Sequence, residues 1–150
     1  MPDSVMPDSV LGLAALIVAA VFAGAAAYIN LVEQPARLTL QPGPLLTQWK
    51  IAYKRGYAMQ APLAAVGFVL GLAASLTTGE PGFMIGGLLM LANWPWTLAG
   101  IMPLNNRLMA FDPAEPPAEV PNLIRRWGHL HAVRTYLGAA ALAAFVWANL

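Results

Sequence analysis

The chain has 150 residues, of which 59% are hydrophobic and only 10% charged, and its mean hydropathy is +0.61. An average soluble domain carries about 25% charged residues, so a surface that faces water throughout is excluded. The net charge of +1 gives no basis for binding nucleic acid, and the lack of cysteine excludes disulfides, thiolate metal sites and a cysteine nucleophile.

The chain opens on a direct repeat, Met1-Pro-Asp-Ser-Val followed by Met6-Pro-Asp-Ser-Val, which reads as a duplicated start. Asp3 and Asp8 stand where a secretory leader would be positive, so a cleaved signal peptide is not expected. The first apolar run goes from Val10 to about Val32, with only Tyr28 and Asn30 as polar breaks. The second runs from about Tyr57 to Thr78, the third from about Phe83 to Leu104, and the fourth from about Ala132 to Leu150. The first three exceed, and the last nearly reaches, the roughly 20 residues a membrane span needs. The last run reaches only about 28 Å at 1.5 Å per residue, which sets Arg134 near its entrance. The expected fold is all-α: a single domain forming an antiparallel four-helix bundle in the lipid bilayer.

The connections orient the bundle. All eight Lys and Arg residues lie in two windows, Arg37 to Arg55 and Arg107 to Arg134. Between spans two and three there is only a short turn, Thr78 to Gly82, containing Glu80. By the positive-inside bias both basic windows face the cytoplasm. A multi-pass protein of the inner (plasma) membrane with both termini outward follows. Pro44 suits the first position of a helix, so Leu45 to Thr78 reads as one long helix, and Pro121 can open helix four with an amphipathic lead-in through Trp127. Between them Asp112 to Pro121, with four prolines, reads as an extended loop. Pro62 and Pro95 permit kinks inside spans. Gly67 and Gly71 form a small-xxx-small pair for close helix packing.

Polar side chains inside a bilayer face a bundle interior or a cavity, and here they gather at the basic ends of the spans. Asn30, Glu33 and Arg37 fall on one stripe if the helix continues past Pro35. Trp49, Tyr53, Tyr57 and Gln60 form a second stripe. Asn93, Thr97 and Gly100 share a face, beside Trp94 and Trp96, and the exit carries Asn105, Asn106 and Arg107. Trp127, His131, Arg134, Thr135 and Gly138 make the last stripe. Each group also has a plain reading. Trp49 and Trp127 suit an interfacial belt, Glu33 and Arg37 a local pair, and His131 a packing role. Lys50, Lys54, Arg125 and Arg126 read as topology signals. The convergence of an acid, a histidine, arginines and amides at one depth favours a site.

His129 and His131 point roughly 200° apart on a helix and do not chelate one ion. His131 with Glu33 and an amide is poor in ligands for a transition metal. A haem would find only His131 as an axial ligand within a span. Phosphate loops, nucleophile elbows and HExxH are absent from the sequence.

Taken in order, several motifs resemble the anthrone-oxygenase-like membrane family, in large part a domain of unknown function. They are Glu33-Gln34-Pro35-Ala36-Arg37, then Trp49 with Tyr53, Arg55 and Gln60, then Trp94-Pro95-Trp96-Thr97. Met102 to Leu108 and Trp127-x-x-x-His131-x-x-Arg134-Thr135 complete the series. The Pro-x-Asn-x-Arg-Leu and Trp…His-x-x-Arg-Thr steps are the most specific, and the resemblance spans about residues 10 to 150. It implies four membrane helices and, for some fungal and actinobacterial members, oxidation of anthrones to anthraquinones; it implies no particular cofactor.

Two functions are expected from these residues. The first is an oxygenase or oxidase acting on a lipophilic aromatic molecule. The anthrone carbon is acidic enough for a modest base, and the carbanion reacts with dioxygen without a metal. The protein then supplies a base, an oxyanion site and a dry pocket. His131 is the candidate base, with Glu33 second. Arg134 and Arg107 are candidates for the oxyanion, with Asn105 or Asn106 donating hydrogen bonds. Trp94, Trp96, Trp127 and Tyr53 are candidates to stack on a flat substrate. Thr97, Gln60, Asn30 and Arg37 complete the expected pocket. The second function is non-enzymatic binding of a lipid, quinone or partner protein there, with the arginines on anionic groups. A homo-oligomer fits either.

Overall fold

A computed structural model describes residues 5–150, with side chains from residue 10 onward, and the N-terminal repeat lies outside the described residues. The described chain is helical. Helix α1 (Val5–Tyr28) passes through a π-helical turn (Ile29–Glu33) into the short α2 (Gln34–Arg37). Helix α3 (Pro42–Thr78) follows. Helix α4 (Pro81–Trp96) passes through a second π-helical turn (Thr97–Ile101) into α5 (Met102–Ala110), and α6 (Val120–Ala148) closes the chain. Four continuous stretches are long and apolar enough to cross a membrane: Val10–Arg37, Pro42–Thr78, Pro81–Ala110 and Val120–Ala148. The protein is a multi-pass membrane bundle. Helices α1 and α4 each pack between α3 and α6, so α1 faces α4 across one diagonal and α3 faces α6 across the other.

The helix starts follow proline chemistry. Gln41 is extended and Pro42 takes the first helical position of α3, two residues earlier than Pro44 was expected to. Proline is tolerated there because the first amides of a helix have no intrahelical acceptor. Pro121 is the second residue of α6. The preceding segment is less extended than its prolines imply: Glu115 N–H bonds Asp112 O at 3.2 Å and Val120 N–H bonds Pro117 O at 3.1 Å. The α3–α4 turn forms as expected. Gly79, at φ 78°, caps α3 in the left-handed region with its N–H on Ser75 O. Pro81 then opens α4.

The two π-helical turns share a cause. Each ends two residues before a proline, Pro35 and Pro103. In a regular helix the proline would leave the carbonyl four residues back unbonded and clash with it. Here the residue just before each proline reaches one residue further back: Gln34 N–H bonds Ile29 O, and Met102 N–H bonds Thr97 O. One extra residue is thus accommodated per turn, and the helix continues past Pro35.

The core is layered. One apolar cluster holds Ala15, Ala19, Phe22, Phe83, Met90, Ala141 and Phe145, and a second holds Leu45, Leu46, Trp49, Ile101, Leu108, Ile124 and Trp127. On α3, on α4 with the π-helical turn that follows it, and on α6, the buried polar residues Gln60, Asn93, Thr97, His131 and Arg134 fall in sequence between the two clusters. Outward-facing Ile17, Val21, Val69, Leu76, Leu88, Val146 and Trp147 are exposed, as a lipid-contacting surface requires.

Small residues let the helices approach. A Cβ on Gly71 would lie 2.8 Å from Phe83 O and 3.0 Å from the Gly87 Cα, both backbone atoms, whereas one on Gly67 would meet the flexible Met90 side chain. A Cβ on Gly24 would meet nothing within 4 Å. Gly71→Ala is therefore expected to destabilise the bundle by about 1–3 kcal/mol. Gly24→Ala is expected to leave the melting temperature in detergent unchanged or slightly raised. Equal melting temperatures for the two variants would contradict this packing.

Candidate functional site

The polar layer opens into a cleft of about 430 Å³, counting the space at its mouth. Helix α6 supplies Trp127, His131 and Arg134. Helix α3 supplies Tyr53, Tyr57 and Gln60, and the two π-helical turns supply Ile29, Glu33, Thr97 and Ile101. Arg37 and Asn105 complete the polar lining. The aromatic stripe on α3 stacks within itself: Trp49 and Tyr53 lie parallel with centroids 5.1 Å apart, and Trp49 meets Trp127 edge-on at 5.8 Å. Trp127 in turn stacks on His131 at 4.9 Å and donates Nε1–H to Asn105 Oδ1 at 2.9 Å.

His131 is 3% exposed, and its orientation is fixed from behind. Asn30 Nδ2 donates to Gly128 O at 2.8 Å, so Asn30 Oδ1 is turned toward α6. That oxygen accepts from Thr135 Oγ1 at 2.8 Å and lies 2.7 Å from His131 Nδ1. An amide oxygen only accepts, so Nδ1 carries the ring proton and Nε2 keeps its lone pair. Nε2 has no hydrogen-bond partner among the described residues. One turn on, Gln34 Nε2 donates to Ile124 O at 2.7 Å. Gly128 allows this approach, because a Cβ there would lie 2.6 Å from Gln34 Nε2. Asn30 and Gln34 thus pin the end of span one to α6.

The charges in the cleft do not balance. Glu33 Oε1 binds Arg37 Nη2 at 2.7 Å and accepts from Gln48 Nε2 at 2.9 Å. Arg37, 3% exposed, also lies over the Trp127 ring at 5.6 Å, and its Nε and Nη1 have no hydrogen-bond partner among the described residues. Arg134 is 7% exposed and, among the described residues, makes neither an ion pair nor a side-chain hydrogen bond. It sits 5.6 Å from the Phe22 ring. Gln60 Nε2 is a further buried donor without a partner among the described residues. Two guanidinium groups against one carboxylate leave a site suited to an anionic oxygen.

Most of the residues singled out in the sequence meet here: Glu33, Arg37, Tyr53, Gln60, Thr97, Asn105, Trp127, His131 and Arg134. Asn30 stands behind the histidine instead of in the cleft. Others lie elsewhere. Arg107 points outward and binds both carboxylate oxygens of Glu119 at 2.6 and 2.7 Å, and Asn106 is exposed beside it. Trp96 donates Nε1–H to Leu130 O at 3.0 Å and packs under Gly100, tying α4 to α6. Trp94 donates to Ala61 O at 3.3 Å and borders a second cavity that adjoins the cleft. His129 is exposed, away from His131. Among the described residues no group of three His, Asp or Glu side chains is placed to hold a metal.

Tyr57, Ile29, Ile101 and the orienting Thr135 and Gln34 were not among the expected site residues. Tyr57 and Thr135 lie on stripes visible in the sequence. Gln34 follows Asn30 by one helical turn and lies within the Glu33-Gln34-Pro35-Ala36-Arg37 motif.

The sequence profile described as anthrone oxygenase matches residues 49–144, more than half of the chain. Among curated proteins, the chain is 25% identical over 130 residues to anthrone oxygenase dmxR16 of Cryptosporiopsis sp. (strain 8999), covering 82% of this chain and 76% of that protein. It is 29% identical over 112 residues to an anthrone oxygenase of Claviceps purpurea (strain 20.1), covering 67% of this chain and 64% of that protein. No solved structure matches the chain.

Proposed function

This chain belongs to the anthrone oxygenase family, and we propose that it is an oxygenase that converts a lipophilic anthrone to an anthraquinone in the polar cleft. The observation that carries this reading is a histidine with a free Nε2 in the same cleft as an arginine without a counter-ion. His131 Nε2 takes a proton from the ring carbon opposite the carbonyl. Asn30 accepts from Nδ1–H and stabilises the imidazolium that forms. The negative charge moves to the carbonyl oxygen, where Arg134 and the unpartnered Gln60 Nε2 receive it. The electron-rich carbon adds dioxygen, the His131 imidazolium returns its proton to the peroxide, and the resulting hydroperoxide loses water to leave a second carbonyl. The overall reaction is anthrone plus dioxygen giving anthraquinone plus water. Glu33, held by Arg37 and Gln48, is the weaker candidate for the base, because one of its oxygens already carries both contacts.

The same reading sets the cleft toward the cytoplasmic face of the inner membrane, with both chain ends outward. Its support is the set of basic residues Lys50, Lys54, Arg55, Arg125 and Arg126 on the helix segments next to the cleft, against the acidic Glu80 in the α3–α4 turn.

The test is turnover under labelled dioxygen. Purified protein in lipid nanodiscs, given anthrone and ¹⁸O₂, is expected to form anthraquinone faster than empty nanodiscs do, with a single labelled oxygen per product molecule. Product formed no faster than in empty nanodiscs would remove the oxygenase assignment.

A further inference from the structure

A second, shallow cavity of about 280 Å³, counting the open space at its mouth, lies between α3 and α4, lined by Ala61, Ala64, Asn93, Trp94 and Leu98, and it shares Tyr57, Thr97 and Arg134 with the cleft. We propose that this side cavity is the other half of the ligand site: it takes the apolar ring portion of an aromatic anion whose charged oxygen rests on Arg134, and it loads that ligand sideways from the bilayer. The proposal builds on the oxygenase reading of the cleft and adds where the substrate's rings lie and how they arrive.

Three observations support it. The first is Arg134 itself, which borders both cavities and lacks a counter-ion among the described residues. A buried guanidinium in that state is stabilised most by an anion that also fills the adjoining apolar space. The second is the mouth. Trp94, Leu98 and Tyr57 are 37%, 54% and 38% exposed, on outward faces of the bundle. Measured along α4 from Pro81, Trp94 lies about 20 Å in at 1.5 Å per residue. Ala61 lies about 25 Å along α3 from Thr78. Both depths fall inside a hydrocarbon layer of about 30 Å, so the mouth faces acyl chains. The third is the lining. Alanines at 61 and 64 put the smallest side chains on its wall, and Asn93, 1% exposed, carries an Oδ1 without a hydrogen-bond partner among the described residues. That oxygen is a free amide acceptor for a hydroxyl on the ligand.

The probe is 9-anthracenecarboxylate, a fluorescent three-ring carboxylate, added to the protein in phosphatidylcholine nanodiscs with empty nanodiscs subtracted. Saturable binding is expected. Bromine on the lipid acyl chains is expected to quench the bound probe. Ala61→Phe fills the side cavity and is expected to weaken binding by about tenfold or more, the effect of losing burial of roughly two methylene-sized groups. Leu98→Trp, at the lipid-exposed mouth, is expected to slow association and serves if Ala61→Phe does not fold. Wild-type affinity and association in both variants, no quenching of the bound probe, or no saturable binding to the wild type each overturns the proposal. The two readings separate cleanly. Probe binding that depends on Ala61 without anthrone oxidation keeps the side cavity and removes the oxygenase. Oxidation that is indifferent to Ala61→Phe and Leu98→Trp does the reverse.

Discussion

Replacing His131 by alanine is expected to slow anthrone oxidation by about 10²–10⁴-fold, the usual contribution of a positioned general base. The argument is geometric. Asn30 Oδ1 lies 2.7 Å from Nδ1 and is itself oriented through Gly128 O, so the free nitrogen is Nε2. Loss of the ring leaves Asn30 still bonded to Thr135 and opens a space beside Trp127, so the variant is expected to fold with a melting temperature lowered by several degrees. Added imidazole should enter that space and restore part of the rate. His131→Gln is the companion variant, since its amide can donate to Asn30 but takes no proton at neutral pH. Anthrone consumption must be corrected for its uncatalysed oxidation. Turnover in either variant within tenfold of the parent protein would move the base elsewhere, with Glu33 next.

Arg134→Met is expected to act in opposite directions on stability and on activity. The guanidinium is buried without a counter-ion, and desolvating an unpaired charge is unfavourable. A methionine of similar length can keep the packing against Phe22. The melting temperature in detergent should therefore rise by a few degrees. Oxidation should fall by about 10²–10³-fold, as when one donor to a developing oxyanion is removed. Lower stability together with normal turnover would mean that Arg134 is a structural residue. The outcome also bears on why the residue is there at all: a group that destabilises the resting fold is retained when a bound molecule satisfies it.

The fold was largely readable from the sequence. Four apolar runs separated by two basic windows and one short turn admit few arrangements other than an antiparallel bundle. Much of the site was readable too, since side chains at helical spacing share a face whatever they do there. The reading slipped where the spacing changes. On span three the stripe through Asn93 and Thr97 was continued to Gly100, and Asn105, Asn106 and Arg107 were placed together at its exit. The extra residue in Thr97–Ile101 turns Ile101 and Asn105 inward and leaves Arg107 outside, where Glu119 pairs with it across the loop. Pro103 was in view, but a proline does not announce whether a helix kinks, stops or widens. The roles of Trp94 and Trp96 were hidden for a different reason. Each indole N–H is bound to a carbonyl of another helix, a tertiary choice that no local pattern encodes. The proton on His131 was unreadable because it is decided by Gly128, on a different helix from the Asn30 that transmits the choice.

A surplus residue in a helix ordinarily migrates, as successive amides exchange one carbonyl for the next and the defect drifts along the rod. Neither wide turn in this protein has that freedom toward its C-terminal side, because the next amide in line belongs to Pro35 or Pro103 and does not exist. Both irregularities are arrested by covalent structure at the level where the walls of the cleft meet. Glu33 and Ile101, the last residues of the two turns, both line the cleft, so the defect that shapes each wall is kept from sliding away past its proline.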